Sequence, residues 1–181
     1  QHLELCRDIA QKFNSDFEAE NFLQVPEPLI QKDFSRIMSL KDGSRKMSKS
    51  ELSDLSRINL TDNKDMVINK IKKAKTDPLP MPSNLRDLEE RPEAKNLLGI
   101  YSNLTNSTLE KSIEIFAGKN FSEFKEKLSE VLVDRIQPIS EEIKKLLNDK
   151  LYLDNILLEG VERANIIFLK KIKKIKEIVG F

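Results

Sequence analysis

The 181-residue sequence has few of the residues from which covalent or metal-based sites are made. Its one cysteine, Cys6, excludes an internal disulfide, and its one histidine, His2, has no partner at a metal-ligand spacing or in a Ser-His-Asp arrangement. We therefore interpret His2 as structural or incidental and expect no protein metal site. The five glycines are isolated, which excludes a glycine-rich phosphate loop.

Long hydrophobic runs are also lacking. No stretch approaches the roughly 18 apolar residues that span a membrane, and the opening QHLELCRD has neither the basic start nor the apolar core of a secretion signal. We expect a cytoplasmic protein without a membrane partner. Because there is no initiator methionine and a helical pattern is under way by residue 3, we also expect a chain cut within a domain.

Charge of one sign is not in large excess. The net charge is +1, so the protein as a whole is not a basic binder of nucleic acid. Lysines are nevertheless clustered: residues 64–75 hold five lysines and one aspartate, and residues 170–176 hold five lysines and no acid. Local basic surfaces remain compatible with the balanced total.

Helical spacing of apolar residues dominates the pattern. It predicts helices over 2–14, 62–74, 97–104, 107–116, 124–136, 140–147 and 161–179. The first places Cys6 on its apolar side, so we expect a buried thiol. Asp62 and Ser140 are predicted N-caps, Ser107 begins a capping box, and Pro138 is predicted to end its helix.

The remaining segments are predicted to be short strands or irregular chain. Residues 37–40 suggest a short strand followed by a turn at Asp42-Gly43, and residues 57–60 suggest a second short strand. Residues 15–35 are expected to be irregular, and four prolines make 76–92 a domain boundary or an ordered crossing segment. The fold class that follows is mostly α, with a small α/β part before a helical bundle.

The stretch Lys46-Met47-Ser48-Lys49-Ser50 is the main candidate for chemistry. Its two ammonium groups, three residues apart, can hold phosphate oxygens and stabilise charge on a leaving pyrophosphate. Met47 could anchor the loop in the body of the protein. On composition alone, a solvated lysine and serine loop is the better interpretation of these five residues.

The sequence segments around this loop change that interpretation. KMSKS is the second signature loop of class I aminoacyl-tRNA synthetases, and here it lies within RIMSLKDGSRKMSKS, followed by SRINLTD and INKIKKAKTD. QHLELCRDIAQKFN stands upstream, and PEAKNLLGIYSNL, FKEKL and IVGF stand downstream. This succession, from residue 1 to 181, closely resembles the bacterial type of tryptophanyl-tRNA synthetase.

The resemblance implies ATP-dependent attachment of tryptophan to its tRNA through an adenylate, in a family that is homodimeric and uses ATP with Mg²⁺. It implies catalytic roles for Lys46 and Lys49 at the pyrophosphate, with Lys49 the stronger candidate. The implied ATP-binding residues are Ile37, Lys46, Met47, Ser48, Lys49 and Ser50. It also implies a Rossmann-like catalytic part at 1–75 that carries the loop, a connection at 76–92 and a helical tRNA-binding part at 93–181.

The sequence departs from this family in two respects. Relatives commonly continue the loop with Asp-Pro, whereas Glu51-Leu52 stands here, so the loop exit is expected to be less rigid. The family's HIGH-like motif and amino-acid pocket have no counterpart in these residues, so we expect no adenylate formation by this chain alone. A tyrosyl-tRNA synthetase fragment and a non-catalytic, synthetase-derived RNA-binding module remain the alternatives.

The lysines of the last helix have two interpretations. A stripe opposite an apolar face is usually solvated, whereas contact with tRNA phosphates is the less common role. The candidates for that contact are Lys170, Lys171, Lys173 and Lys174.

Overall fold

A computed structural model of the chain describes residues 1–29 and 36–181. These residues form two compact units. One unit joins residues 1–29 to 149–181, and the other comprises 36–148. No helix in the described parts of the chain is long and apolar enough to cross a membrane.

The first unit contains helix α1 (His2–Asp16) and helix α6 (Lys150–Val179). Asp149 caps α6 by accepting a hydrogen bond from the backbone N–H of Tyr152 at 3.0 Å, and Gly180 ends it in the left-handed conformation at φ 89°. Both helices were predicted, although α6 begins earlier than the pattern indicated.

The segment after α1 folds back on that helix. The side chain of Asn14 accepts a hydrogen bond from the N–H of Leu23 at 2.9 Å and donates one to its carbonyl at 2.8 Å. Lys171 of α6 donates to the carbonyl of Phe22 at 2.7 Å and lies 4.2 Å from the centre of its ring. The predicted burial of Cys6 is wrong, because its thiol is exposed and Ala10 is the buried residue of α1.

The second unit packs four helices around one core. They are α2 (Lys64–Lys72), α3 (Pro92–Leu104), α4 (Leu109–Phe116) and α5 (Phe121–Asn148). At the centre the rings of Tyr101 and Phe124 both pack against Phe116, with centroids 5.0 and 4.8 Å from it. The mostly α class is confirmed for the described residues.

Two predicted caps are displaced by one residue. Asn63, not Asp62, caps α2 by accepting the N–H of Met66 at 2.9 Å, because Asp62 points inward to meet Lys70. Thr108, not Ser107, caps α4.

The predicted break at Pro138 is wrong. Helix α5 continues from Phe121 to Asn148, and Ser140 is buried inside it rather than capping a new helix. Pro138 cannot donate to the carbonyl of Asp134. Both residues are exposed, so water can bond that carbonyl, and the core contacts of α5 at Phe124, Leu128 and Leu132 lie before the proline.

The two predicted strands do not form. Within the described residues, 37–40 makes one antiparallel bridge, between Met38 and Lys46, and 57–60 follows a single 3₁₀ turn at Asp54–Ser56. Residues 17–29 are irregular as expected, whereas 30–35 lie outside the described residues.

The proline-rich segment lies within the second unit. Met81, Pro82 and Leu88 are almost completely buried in the second unit, and Leu88 closes a short 3₁₀ turn at Arg86–Leu88. Pro92 is the first residue of α3, where its missing N–H costs nothing. The predicted division at 1–75, 76–92 and 93–181 concerns the whole protein and stays a prediction.

Candidate nucleotide-binding loop

The lysine loop stands on a narrow base formed by residues 36–47. The N–H of Ser39 donates to the carbonyl of Arg45 at 2.8 Å, and the N–H of Met47 donates to that of Ile37 at 3.0 Å. These bonds flank the bridge between Met38 and Lys46. The base is therefore a short hairpin whose two sides hold Ile37 and Lys46.

Asp42 closes the turn at the end of this hairpin. Its carboxylate accepts hydrogen bonds from the N–H and the hydroxyl of Ser44 at 3.0 and 2.6 Å, and its carbonyl accepts the N–H of Arg45 at 3.1 Å. The hydrogen bonds from Ser44 lower the pKa of Asp42. This arrangement confirms the turn that Asp42-Gly43 predicted.

Leu40 fixes the hairpin to the body of the protein. Its side chain is 2% exposed. Its N–H donates to the carbonyl of Ser56 at 2.9 Å, and its own carbonyl accepts the N–H of Lys75 at 2.7 Å. Both backbone groups are thus occupied, which pins the hairpin between the 3₁₀ turn and the segment after α2.

The signature residues project from this fixed base. Met47 is partly buried and packs against the core of the second unit, as its proposed anchoring role requires. Lys46 and Lys49 are exposed, and no carboxylate of residues 1–29 or 36–181 lies within 4.0 Å of either ammonium group. Two cations that have no such counter-ion are suited to an anionic ligand.

The serines of the loop bond mainly to each other. The hydroxyls of Ser48 and Ser50 are 2.8 Å apart, and the N–H of Ser50 donates to the Ser48 hydroxyl at 3.3 Å. These local bonds shape the tip without tying it to the helices. Ile37 is 48% exposed and uses its carbonyl within the hairpin, so its role toward adenine stays a prediction.

The exit of the loop is held by Arg57, which the sequence did not single out. The guanidinium of Arg57 donates to the carbonyl of Glu51 at 2.8 Å and pairs with Asp54 at 3.1 Å. Asp54 also pairs with Lys70 at 2.6 Å. Hydrogen bonds from Lys70 and Asn59 lower the pKa of Asp54. These contacts link the exit to α2 without a proline at the exit itself.

Asn96 is a second residue that the sequence did not reveal. Its amide bonds to both backbone polar groups of Met38, 58 residues away in sequence. A contact of that sequence separation leaves no local pattern from which it could be found. By contrast, Lys70 lies on the same helical face as Val67 and Ile71, and that position was a detectable signal for burial.

The predicted tRNA-binding lysines are not equivalent. Lys171 is engaged with Phe22, as described above. The other three, Lys170, Lys173 and Lys174, are exposed and make no ion pair with a residue of the described ranges. No group of three or more potential metal ligands occurs within residues 1–29 and 36–181.

The family model described as "tRNA synthetases class I (W and Y)" matches residues 1–137. The chain therefore belongs to this family of class I aminoacyl-tRNA synthetases. Its resemblance to tryptophanyl-tRNA synthetase is also confirmed. The chain is 49% identical over its whole length to the tryptophan–tRNA ligase of Caulobacter vibrioides, covering 53% of that protein. It is 50% identical over its whole length to that of Rickettsia felis, covering 54%.

Solved structures give the same result. The crystal structure of tryptophanyl-tRNA synthetase from Mycoplasma pneumoniae is similar with a TM-score of 0.81 and 27% identity, over 99% of this chain and 55% of the other. The chain thus spans about half the length of the curated relatives that it matches.

Proposed function

We propose that this chain is part of a tryptophan–tRNA ligase, which forms tryptophanyl-adenylate from ATP and transfers the acyl group to tRNA. The observation that carries the proposal is sequence identity of 49–50% to tryptophan–tRNA ligases over the whole chain. Two exposed lysines, Lys46 on the fixed hairpin and Lys49 in the loop that follows it, are the local feature that agrees with it.

In the proposed first step, a carboxylate oxygen of tryptophan attacks the α-phosphorus of ATP, and the bond to the bridging oxygen of pyrophosphate breaks. Negative charge increases on the departing pyrophosphate. Lys49 stabilises that charge, and Lys46 assists from the neighbouring side of the loop. The role of both lysines in this step is electrostatic, and no proton is transferred to or from them.

The remaining residues of the loop position ATP. Met47 anchors the loop through its side chain, and the hydroxyls of Ser48 and Ser50 can exchange their mutual hydrogen bond for bonds to phosphate oxygens. The backbone of Ile37 faces the adenine. Mg²⁺ would accompany the ATP phosphates as part of the substrate.

The whole protein is proposed to be a cytoplasmic homodimer with tRNA(Trp) as its macromolecular substrate. Residues 1–75 would complete a Rossmann-like catalytic domain and carry the loop. Residues 76–92 would cross to a helical tRNA-binding part at 93–181. Lys170, Lys173 and Lys174 are its candidate phosphate contacts.

The test is ATP–pyrophosphate exchange by the full-length protein with tryptophan or tyrosine. Exchange with tryptophan is expected, whereas exchange only with tyrosine would assign the tyrosyl alternative. Residues 1–181 alone are expected to give no exchange, since they lack counterparts of the HIGH-like motif and the amino-acid pocket. A full-length protein that binds tRNA but exchanges with neither amino acid would be a non-catalytic RNA-binding module.

A further inference from the structure

The amide of Asn96 bonds to both backbone polar groups of Met38 along the outer edge of the hairpin. The N–H of Met38 donates to Oδ1 of Asn96 at 2.9 Å, and Nδ2 of Asn96 donates to the carbonyl of Met38 at 2.8 Å. Asn96 is only 6% exposed. The side chain thereby takes the place that a neighbouring strand would occupy beside the hairpin, with both of its amide functions used.

Met38 is the residue that bridges to Lys46. Asn96 therefore reaches the first signature lysine through one intervening residue. The tip of the loop has only local hydrogen bonds between Ser48 and Ser50 among the described residues. The position of the tip consequently depends on how the base is held, together with the packing of Met47 and the bond from Arg57 to Glu51 at the exit.

A second contact fixes the same base to the same helix. A Cβ atom at Gly43 would lie 2.6 Å from the backbone carbon of Pro92 and 2.6 Å from the nitrogen of Glu93. The hairpin turn thus rests directly on the first turn of α3, at a distance that only glycine permits. Lys75 strengthens this contact by pairing with Glu93 at 2.8 Å.

We propose that Asn96 is a positioning residue for the adenylation step, which holds Lys46 through Met38. In this arrangement the first two turns of α3, from Pro92 to Asn96, form a seat for the loop. A displacement of α3 within the helical bundle would move the signature lysines relative to ATP. The inference rests on the proposed function, because it assigns Asn96 a role in the same reaction.

A purely structural role for Asn96 makes a different prediction. Loss of a fold contact lowers the fraction of correctly folded enzyme and leaves the properties of each active site intact. Loss of a positioning contact changes the kinetics of each active site, because misplacement by about 1 Å can reduce a rate by about a hundredfold.

The experiment compares Asn96→Ala and Gly43→Ala with the full-length wild type. Gly43→Ala disturbs the seat without altering Asn96. Asn103→Ala is the matched control, since Asn103 lies on the same helix and its amide bonds to Gly99 of that helix at 2.9 Å. The measurements are tryptophan-dependent ATP–pyrophosphate exchange per titrated active site, and hydrogen exchange of the loop amides.

Both seat variants are expected to lower kcat/KM for ATP by about tenfold to a hundredfold, with little change in the KM for tryptophan. Hydrogen exchange of the loop amides should be faster in both variants than in Asn103→Ala. The fold-reduction of kcat/KM in the double variant should be smaller than the product of the two single reductions. Unchanged kinetics per active site would overturn the proposal.

The hydrogen-exchange arm separates this inference from the proposed function. If the wild type shows no tryptophan-dependent ATP–pyrophosphate exchange, the proposed function fails. Faster exchange of the loop amides in both seat variants would then still establish that α3 positions the loop. If hydrogen exchange of the loop amides in the seat variants equals that in Asn103→Ala, the positioning role of Asn96 is wrong, whatever reaction the protein catalyses.

Discussion

Lys70 and Asp62 form a buried ion pair in which Nζ lies 2.6 Å from Oδ2, with side chains only 3% and 1% exposed. The same Oδ2 also accepts the N–H of Asn59 at 2.9 Å, and Oδ1 of Asp62 accepts from Nδ2 of Asn59 at 3.3 Å. Lys70 reaches Asp54 as well, at 2.6 Å. The pair therefore connects α2 to the segment that leaves the lysine loop.

Lys70→Met is expected to lower the free energy of unfolding by about 3–5 kcal/mol, because it leaves the carboxylate of Asp62 buried without its cation. Urea unfolding of the full-length protein measures the change. Lys72→Met is the matched control, since Lys72 is exposed on the same helix, and its effect should stay within about 0.5 kcal/mol. Equal effects of the two substitutions would contradict a special role for the buried pair.

The sequence predicted the helical part of the fold well, because apolar spacing reports directly on packing. Val67, Ile71 and Ala74 are buried as expected. The predictions failed where one residue can serve two purposes. Asp62 has the chemistry of an N-cap, but a buried lysine attracts it more strongly. Pro138 usually ends a helix, but here α5 continues through it, with the core contacts of Phe124, Leu128 and Leu132 all before the proline.

The candidate site was likewise predicted only in part. The loop itself was predicted because its five signature residues and the neighbouring sequence segments are contiguous in sequence. Its supports were not found, because Asn96 and Arg57 act through backbone groups of Met38 and Glu51. A backbone partner has no side-chain signature, so nothing in the sequence marks the pairing.

Lys49→Ala is expected to slow tryptophanyl-adenylate formation by about a hundredfold to a thousandfold, the loss typical of removing one preorganised charge donor. ATP–pyrophosphate exchange by the full-length protein measures this rate. Since Lys49 is exposed and makes no ion pair with a described carboxylate, the free energy of unfolding should hardly change. Lys41→Ala, a neighbouring exposed lysine outside the signature, is the control. An unchanged exchange rate would remove Lys49 from the proposed mechanism.

Glu93 is expected to make stability depend on acid pH. The hydrogen bond from Lys75 is the main cause that lowers the pKa of Glu93 below its ordinary value of 4.5. A carboxyl whose pKa is lowered by folding stabilises the protein above its unfolded pKa, and this contribution is lost as the pH falls through the folded value. Unfolding free energies measured between about pH 5 and pH 3 should therefore fall less steeply for Glu93→Gln than for the wild type.

The partner of Glu93 supplies the control. Lys75→Met removes the main cause of the lowered pKa, so it should flatten the same part of the stability profile. Combining it with Glu93→Gln should add little, because the two residues act as one pair. If the acid slope persists in both single variants, other carboxyls account for it.

The lysines of α6 are expected to separate into two kinds. Replacing Lys170, Lys173 and Lys174 by glutamine should weaken tRNA binding and reduce the slope of log affinity against log salt by about 1 for each phosphate contact removed. Filter binding at several salt concentrations measures both quantities. Lys171→Met should instead lower stability, because Lys171 bonds to Phe22 within its own unit. An unaltered salt slope in the triple variant would identify the stripe as solvated surface.

Ser140 is the one buried side chain of the described residues whose polar atom has no hydrogen-bond partner. Its residue is 1% exposed, so its hydroxyl loses hydration without compensation. Ser140→Ala is therefore expected to raise the free energy of unfolding by about 1 kcal/mol, measured by urea denaturation of the full-length protein. Ser129→Ala is the matched control on the same helix, since the Ser129 hydroxyl donates to the carbonyl of Lys125 at 2.7 Å. Ser129→Ala should leave the free energy of unfolding unchanged or lower it. If Ser140→Ala also lowered the free energy of unfolding, the Ser140 hydroxyl would have a hydrogen-bond partner and the prediction would be wrong.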